Sequence, residues 1–425
     1  MIAYRAALPM VFAIWFLQLA GGILGLVTPL GLGEMGVSLS NIGLVASLYA
    51  VGFMAGALSA PYWISRIGNI RCFSMAAAIC CISCLSMDMW QHPGVWAVLR
   101  LLIGLAFSLM VTAIESWMGA AISPAQRGGV MSIYHLVAKA ALLLGPLIII
   151  GNASLDHTNY VLSGIFLAAA LIPVCITKQN EPPRPVRDNK SIFSLIHTAP
   201  SAVIGAFFAG AINSAVMALL PLFMQPFSRA EDVTLYAALA LAAVNVGGLI
   251  SQWPMGWLSD HMDRRVVVGI TAIIAAVAGA IIFFFAELMS MSVLLVLLGI
   301  WGAGSLVYYG ICVAHGVDRS KKEQITQMMS LLLFVWATGA VIGPFVLGLA
   351  MNSLLGVKGL FGVVFILHLF LAFVMIVRNS SRASPPEDAQ ADWHPTLPST
   401  VAMIDIDPRT PDEGGIQGKS ETHSL

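Results

Sequence analysis

From Ala6 to Gly33 the chain carries no charged side chain, and from Met35 to Ser65 it again carries none. Each stretch exceeds the roughly 20 residues that an α-helix, rising 1.5 Å per residue, needs to cross about 30 Å of hydrocarbon. In lipid the backbone polar groups must be satisfied within the segment, so apolar blocks of this length have to be spanning helices. The remaining sequence follows suit. Of 425 residues, 58% are hydrophobic and only 21 basic and 21 acidic, with a mean hydropathy of +0.87. That leaves too little polar surface to wet a soluble domain, and the balanced charge gives no sign of a nucleic-acid partner.

Breaking the chain at charges and at Gly, Pro and Asn clusters predicts twelve spans, near 8–31, 41–64, 70–88, 95–120, 128–151, 159–178, 199–223, 234–258, 266–286, 291–315, 326–351 and 358–378. The fold class is therefore an all-α integral membrane protein of two six-helix bundles, 1–178 and 198–378. A Pro-rich, basic linker over 179–197 joins them, and a polar tail over 379–425 is expected to be disordered. Of the 21 Lys and Arg residues, 17 fall on the side holding the linker and both ends of the chain. The positive-inside rule then puts both termini in the cytoplasm of a bacterial inner membrane. Trp63 and Trp257 on one face, and Trp90 and Trp96 on the other, suit interfacial belts. The six cysteines all lie in apolar spans and read as packing residues, with no metal site implied.

The halves repeat. Met131-Ser132 through Gly145-Pro146 match Met329-Ser330 through Gly343-Pro344 at an offset of 198, and Gly104 falls on Gly302 at the same offset. Val51-Gly52 match Val246-Gly247 at 195, and Pro29-Leu30 match Pro221-Leu222 at 192. Six helices separate the copies, so the halves are parallel repeats related by an axis along the membrane normal.

These residues resemble the major facilitator superfamily, which carries a Gly-x-x-x-Asp-Arg-x-Gly-Arg-Arg loop after its second and eighth helices. Here the first copy runs Pro61-Tyr-Trp-Ile-Ser65-Arg66-Ile-Gly68-Asn-Ile-Arg71, with serine in place of the Asp. The second runs Gly256-Trp-Leu-Ser-Asp260-His-Met-Asp263-Arg264-Arg265, with Asp263 where Gly is usual. The resemblance implies a cytoplasmic gate carried by Asp260, Arg264 and Arg265 more than by Arg66, Gly68 and Arg71. Thr28-Pro29-Leu30, Ile114-Glu115-Ser116, Ser251-Gln252-Trp253-Pro254-Met255-Gly256 and the two Gly-Pro helices resemble the YcaD-like bacterial branch. By the same resemblance the first, fourth, seventh and tenth helices line a cavity, which makes Gln18, Asn213, Tyr308 and Tyr309 lining candidates. Asn245 is a further polar residue near mid-depth. Each also reads as an interhelical hydrogen bond.

A charge within the membrane costs several kcal/mol, so it is functional by default and should have a partner. Three stand fully inside: Arg100, Glu115 and Lys139. Lys139 sits about 18 Å into the fifth span, with His135 one turn away. The fourth and fifth spans form a hairpin, which brings Glu115 and His135 to similar depth. Desolvation disfavours the charged form of either group, which suits proton exchange as a cavity opens; the alternative is a fixed pair locking two helices. Arg100 is expected to pair with Asp88 or Glu34, as a packing clamp or in a direct role. His315 reads as interfacial, and His368 as packing on an outer helix. Gly145-Pro146 and Gly343-Pro344 fit bend-and-pack positions.

No phosphate loop, cofactor motif or nucleophile–base pair appears, so neither an enzyme nor a cofactor is expected. The expectation is a monomeric, proton-coupled secondary transporter of a small molecule, with export of amphiphilic compounds slightly favoured. The alternatives are a proton-linked importer of an organic anion and a non-transporting receptor or assembly partner.

Overall fold

The computed structural model describes residues 2–122, 124–150, 157–177, 193–321 and 324–381. Fourteen helices are described, with no strand among those residues. The N-terminal half holds α1 (Ile2–Glu34), α2 (Leu39–Ile67), α3 (Asn69–Met89), α4 (Pro93–Ala121), α5 (Pro124–Ile148), α6 (His157–Ala169) and α7 (Leu171–Ile176). The C-terminal half holds α8 (Pro200–Met224), α9 (Val233–His261), α10 (Arg264–Phe285), α11 (Met291–Ser305), α12 (Tyr308–Asp318), α13 (Ile325–Met351) and α14 (Gly359–Ser381). The pairs α6–α7 and α11–α12 each make one interrupted span, so twelve segments are long and apolar enough to cross a membrane. Of the expected linker, 179–192 lies outside the described residues and Phe193–His197 is a 3-10 turn. Of the expected tail, 382–425 lies outside them.

The internal repeat extends to the contacts. In the N-terminal half α2 packs on α4, α1 on α5 and α3 on α6; in the C-terminal half α9 packs on α11, α8 on α13 and α10 on α14. The repeated glycines are the points of closest approach. A β-carbon on Gly52 would strike the Leu101 carbonyl, and one on Gly247 the Gly299 carbonyl. Gly104 lies on the Tyr49 carbonyl and Gly302 on that of Val244, while Gly145 lies on Leu19 and Gly343 on Ala211. Each pair of contact partners keeps the offset of its own helices: Leu101 to Gly299 is 198, Tyr49 to Val244 is 195, and Leu19 to Ala211 is 192. Small residues at these positions let backbones approach where lipid supplies no hydrophobic drive to associate.

The main helix pairs joining the halves are α2 with α13, α5 with α9, and α1 with α8. The close approaches of α2 to α13 and of α1 to α8 lie at the end away from the termini. Gly43 abuts the Pro344 carbonyl, Gly348 abuts Leu39 and Ser40, and Gly33 abuts Leu222 and Gln225. One buried core runs through the N-terminal half and continues into this end of the C-terminal half. At the termini-bearing end the C-terminal half has a separate core, built from the starts of α8, α10 and α13, from α12 and from the end of α14.

Several expectations change here. Trp90 and Trp257 are exposed as belt residues should be, but Trp96 is buried, its indole N–H donating to the Met87 and Trp90 carbonyls at 2.9 and 3.1 Å. His315, expected at the interface, is buried. The cysteines Cys81 and Cys84 pack α3 on α6, donating to the Gly164 and Tyr160 carbonyls.

Candidate functional site

A cavity of about 430 Å³ lies between the halves, lined from α1, α2, α4, α5, α8, α9, α13 and the break between α11 and α12. Its walls are mostly apolar and aromatic, including Phe53, Phe107, Tyr309 and Trp336. Arg100 and Lys139 are the charged residues among those that line it, and no carboxylate lines it among the described residues.

Arg100, on α4, does not pair with Asp88 or Glu34 as expected. Its guanidinium lies over the Tyr49 ring, 4.5 Å from the centroid, and Asp88 instead meets His157 at 2.5 Å. Ring stacking satisfies a guanidinium face without cancelling its charge, which an ion-pair rule does not anticipate. Lys139, on α5, donates to Oε1 of Gln252 on α9 at 2.8 Å. That bond joins the two halves, and its acceptor is neutral.

Glu115 and His135 do not reach the cavity. They are 2% and 3% exposed and enclosed within the N-terminal half, where the Tyr134 hydroxyl lies 3.5 Å from Oε1 of Glu115. Of the polar lining candidates, Asn213, Asn245 and Tyr309 line the cavity; Gln18 and Tyr308 do not. Tyr308 is buried edge-on against His368, one helical step from the face that Tyr309 presents.

The tenth span breaks where it meets this cavity. Asn213 Nδ2 donates to the Ser305 carbonyl at 3.1 Å, taking the acceptor that the next helical turn would otherwise use. Ser305 Oγ bonds Asn213 Oδ1 at 2.6 Å and His368 Nε2 at 3.1 Å, and Nδ1 of His368 lies 2.9 Å from the Val364 carbonyl. With Gly302 and Gly304 just before it, the helix has weak propensity to continue. Leu306 and Tyr309, either side of the break, line the cavity. Ser305→Ala is expected to cost about 1–3 kcal/mol, since it strips a partner from the buried His368 and from the half-buried Asn213; a thermal melt of the purified protein checks it.

A family model described as the Major Facilitator Superfamily matches residues 10–228 and 202–407. The chain belongs to the Major Facilitator Superfamily. It is 23% identical over 386 residues to the uncharacterized MFS-type transporter YcaD of Salmonella typhimurium, covering 90% of this chain and 98% of that one. The fold is shared with the nucleoside transporter NupG (TM-score 0.72, 13% identity, 88% of this chain and 99% of that one). It is also shared with a bacterial homolog of the human lysosomal transporter Spinster in an inward-facing, occupied conformation (TM-score 0.73, 15% identity, 90% and 99%).

The superfamily's loop motif is unequal in the two halves, for local reasons. In the first copy Gly68 has φ +84°, a left-handed conformation that favours glycine, and it closes α2 by donating to the Ile64 carbonyl. In the second copy Asp263 replaces that glycine with φ −57° and caps α10 through the Arg265 N–H at 2.8 Å. Arg264 Nε then bonds Asp318 at 2.7 Å, both side chains almost fully enclosed, while Asp260 lies 3.4 Å from its Nη1. Arg265 forks onto Asp263 and donates to the Arg378 carbonyl, tying down α14. Arg66 instead bonds only an exposed tyrosine hydroxyl, Tyr62, at 2.7 Å among the contacts described, and Arg71 is exposed. Asp318 and Gln252 are the partners that sequence reading missed. Gln252 stood in a noted motif, but its partner lies in the other half.

Proposed function

We propose that the protein is a secondary active transporter working by alternating access across a bacterial inner membrane, with both termini cytoplasmic. The observation that carries this is the position of the cavity. It sits between two repeated bundles that are held together by backbone-close contacts at one end and have separate cores at the other. With the termini in the cytoplasm, that arrangement is the inward-facing one. Rocking the bundles about the cavity exposes it to each side in turn. A volume of about 430 Å³ with aromatic walls supports a small amphiphilic cargo.

Proton coupling is the second part of the proposal. Glu115 is enclosed in α4, the helix that also carries Arg100 into the cavity, and Lys139 is held by a neutral acceptor. Ionisable groups placed this way exchange protons as water gains and loses access. In proteoliposomes, accumulation driven by an imposed pH gradient is expected, with Glu115→Gln reducing it to the gradient-free control. Uptake that ignores the gradient, and is unchanged in both Glu115→Gln and Lys139→Ala, removes the coupling.

A further inference from the structure

The cavity's charge is one-sided. Arg100 and Lys139 approach it from α4 and α5 with no carboxylate among the described lining residues, so neither positive charge is cancelled within it. Arg100 keeps Nε buried with no hydrogen-bond partner while its face rests on Tyr49. On α1, Thr28 lines the same cavity, and its buried hydroxyl also has no partner. Lys139 has only the amide oxygen of Gln252 as its described partner. Three residues with hydrogen-bond donors, two of them cationic, therefore line the cavity from three helices of one half. Opposite and around them stand Phe53, Phe107, Met217 and Trp336.

A buried donor without a partner is costly, and an uncompensated buried cation more so. An oxyanion answers both deficits, because guanidinium and ammonium groups form their strongest hydrogen bonds with such oxygens. An amine or a neutral amphiphile answers neither. Resting on the transporter reading above, we propose that the cargo is an amphiphilic organic anion: an oxyanion head held by Arg100, Lys139 and Thr28, and an apolar body against the aromatic wall. The site has a built-in link to movement. An oxyanion that takes Lys139 must draw it from Gln252, and that bond ties α5 to α9 across the two halves. Binding therefore loosens a tie that rocking has to break.

The test uses the purified full-length chain and matched probes: benzoate and phenylacetate, phenyl phosphate, the neutral benzamide and phenylacetamide, and the cation benzylamine. Ligand binding to the native state raises its melting temperature by mass action. The acids are expected to raise it and the amides and amine to leave it unchanged, with the carboxylates and the phosphate separating the two kinds of head. In Arg100→Gln and in Lys139→Gln, affinity for the acids should fall at least about tenfold, as for loss of one charge-assisted hydrogen bond. Arg100→Lys and Lys139→Arg, which keep the charge, should retain part of it and guard against a folding defect. Stabilisation by benzylamine or the amides in place of the acids overturns the proposal, as does acid binding that survives both neutral substitutions. Flux separates the two readings. A cation or neutral compound carried through proteoliposomes defeats the anion assignment and leaves the transporter intact. Acids that bind at Arg100 and Lys139 but never cross defeat the transporter reading and leave the site.

Discussion

Replacing Gly43 with leucine will hold the protein open at the end away from the termini. Gly43 of α2 abuts the Pro344 carbonyl and the Phe345 Cα of α13, so a side chain there meets backbone, which cannot step aside as a side-chain tip does. Overpacking of this kind costs about 1–3 kcal/mol, and each 1.4 kcal/mol is tenfold in an equilibrium. The population closed at that end should fall by about fivefold to a little over a hundredfold, and transport with it. The contacts within each bundle are untouched, so the protein stays folded. A cysteine at Ala218, in the cavity wall, reports the change in a Cys175→Ser background. An impermeant maleimide added on the side away from the termini should label it much faster in Gly43→Leu than in the parent. Gly348→Leu, which strikes Leu39 and Ser40 in the same contact, should behave alike. Unchanged labelling with unchanged transport would show that this contact does not gate the cavity.

The second large effect is at Asp318. Its carboxylate is the enclosed partner of Arg264, 2.7 Å away, and Asp318→Ala leaves a guanidinium that is 2% exposed, with Asp260 at 3.4 Å as the other ion pair described for it. Breaking a buried pair from one side costs about 3–5 kcal/mol; the Asp260 contact puts this case near the lower figure. Removing both partners together, as Arg264→Leu with Asp318→Leu, should cost less than Asp318→Ala alone, because no buried charge is stranded. In the N-terminal copy Arg66→Ala should stay within about 0.5 kcal/mol, since that side chain is exposed. Denaturant or thermal unfolding of the four proteins decides it. Equal losses at Asp318 and Arg66 would mean that the two copies share the gate after all.

The spans were legible because lipid leaves the backbone so few options. At several charges the ends moved outward: Arg66, Asp260, Arg264 and Asp318 lie inside helices where the sequence suggested a stop, while the helices ending at Ile148, Ile176 and Phe285 fall short of the expected ends. The break at Leu306 and Val307 was not legible, because what makes it is Asn213, on another helix, competing for the Ser305 carbonyl. Lining residues divided by helical phase. Tyr309 faces the cavity and its neighbour Tyr308 faces His368, a rotation of about 100° that an uncertain span boundary cannot resolve. The three intramembrane charges were found readily, since each is conspicuous in an apolar run. Their partners were not, because an ion-pair rule points to opposite charges. Arg100 rests on a ring and Lys139 on an amide, leaving the cavity more positive than paired charges would.

The separate core at the termini-bearing end of the C-terminal half has a thermodynamic consequence. Parting the halves there uncovers nothing that was interlocked when each bundle folded. The change of access is then akin to a weak, reversible association between two partners that happen to share a chain, rather than to partial unfolding. Its balance belongs with solvation and with whatever small molecule wedges between the partners. At that end resistance to denaturation belongs to each bundle separately, while the opposite end, where one core runs through both halves, holds them together through the change.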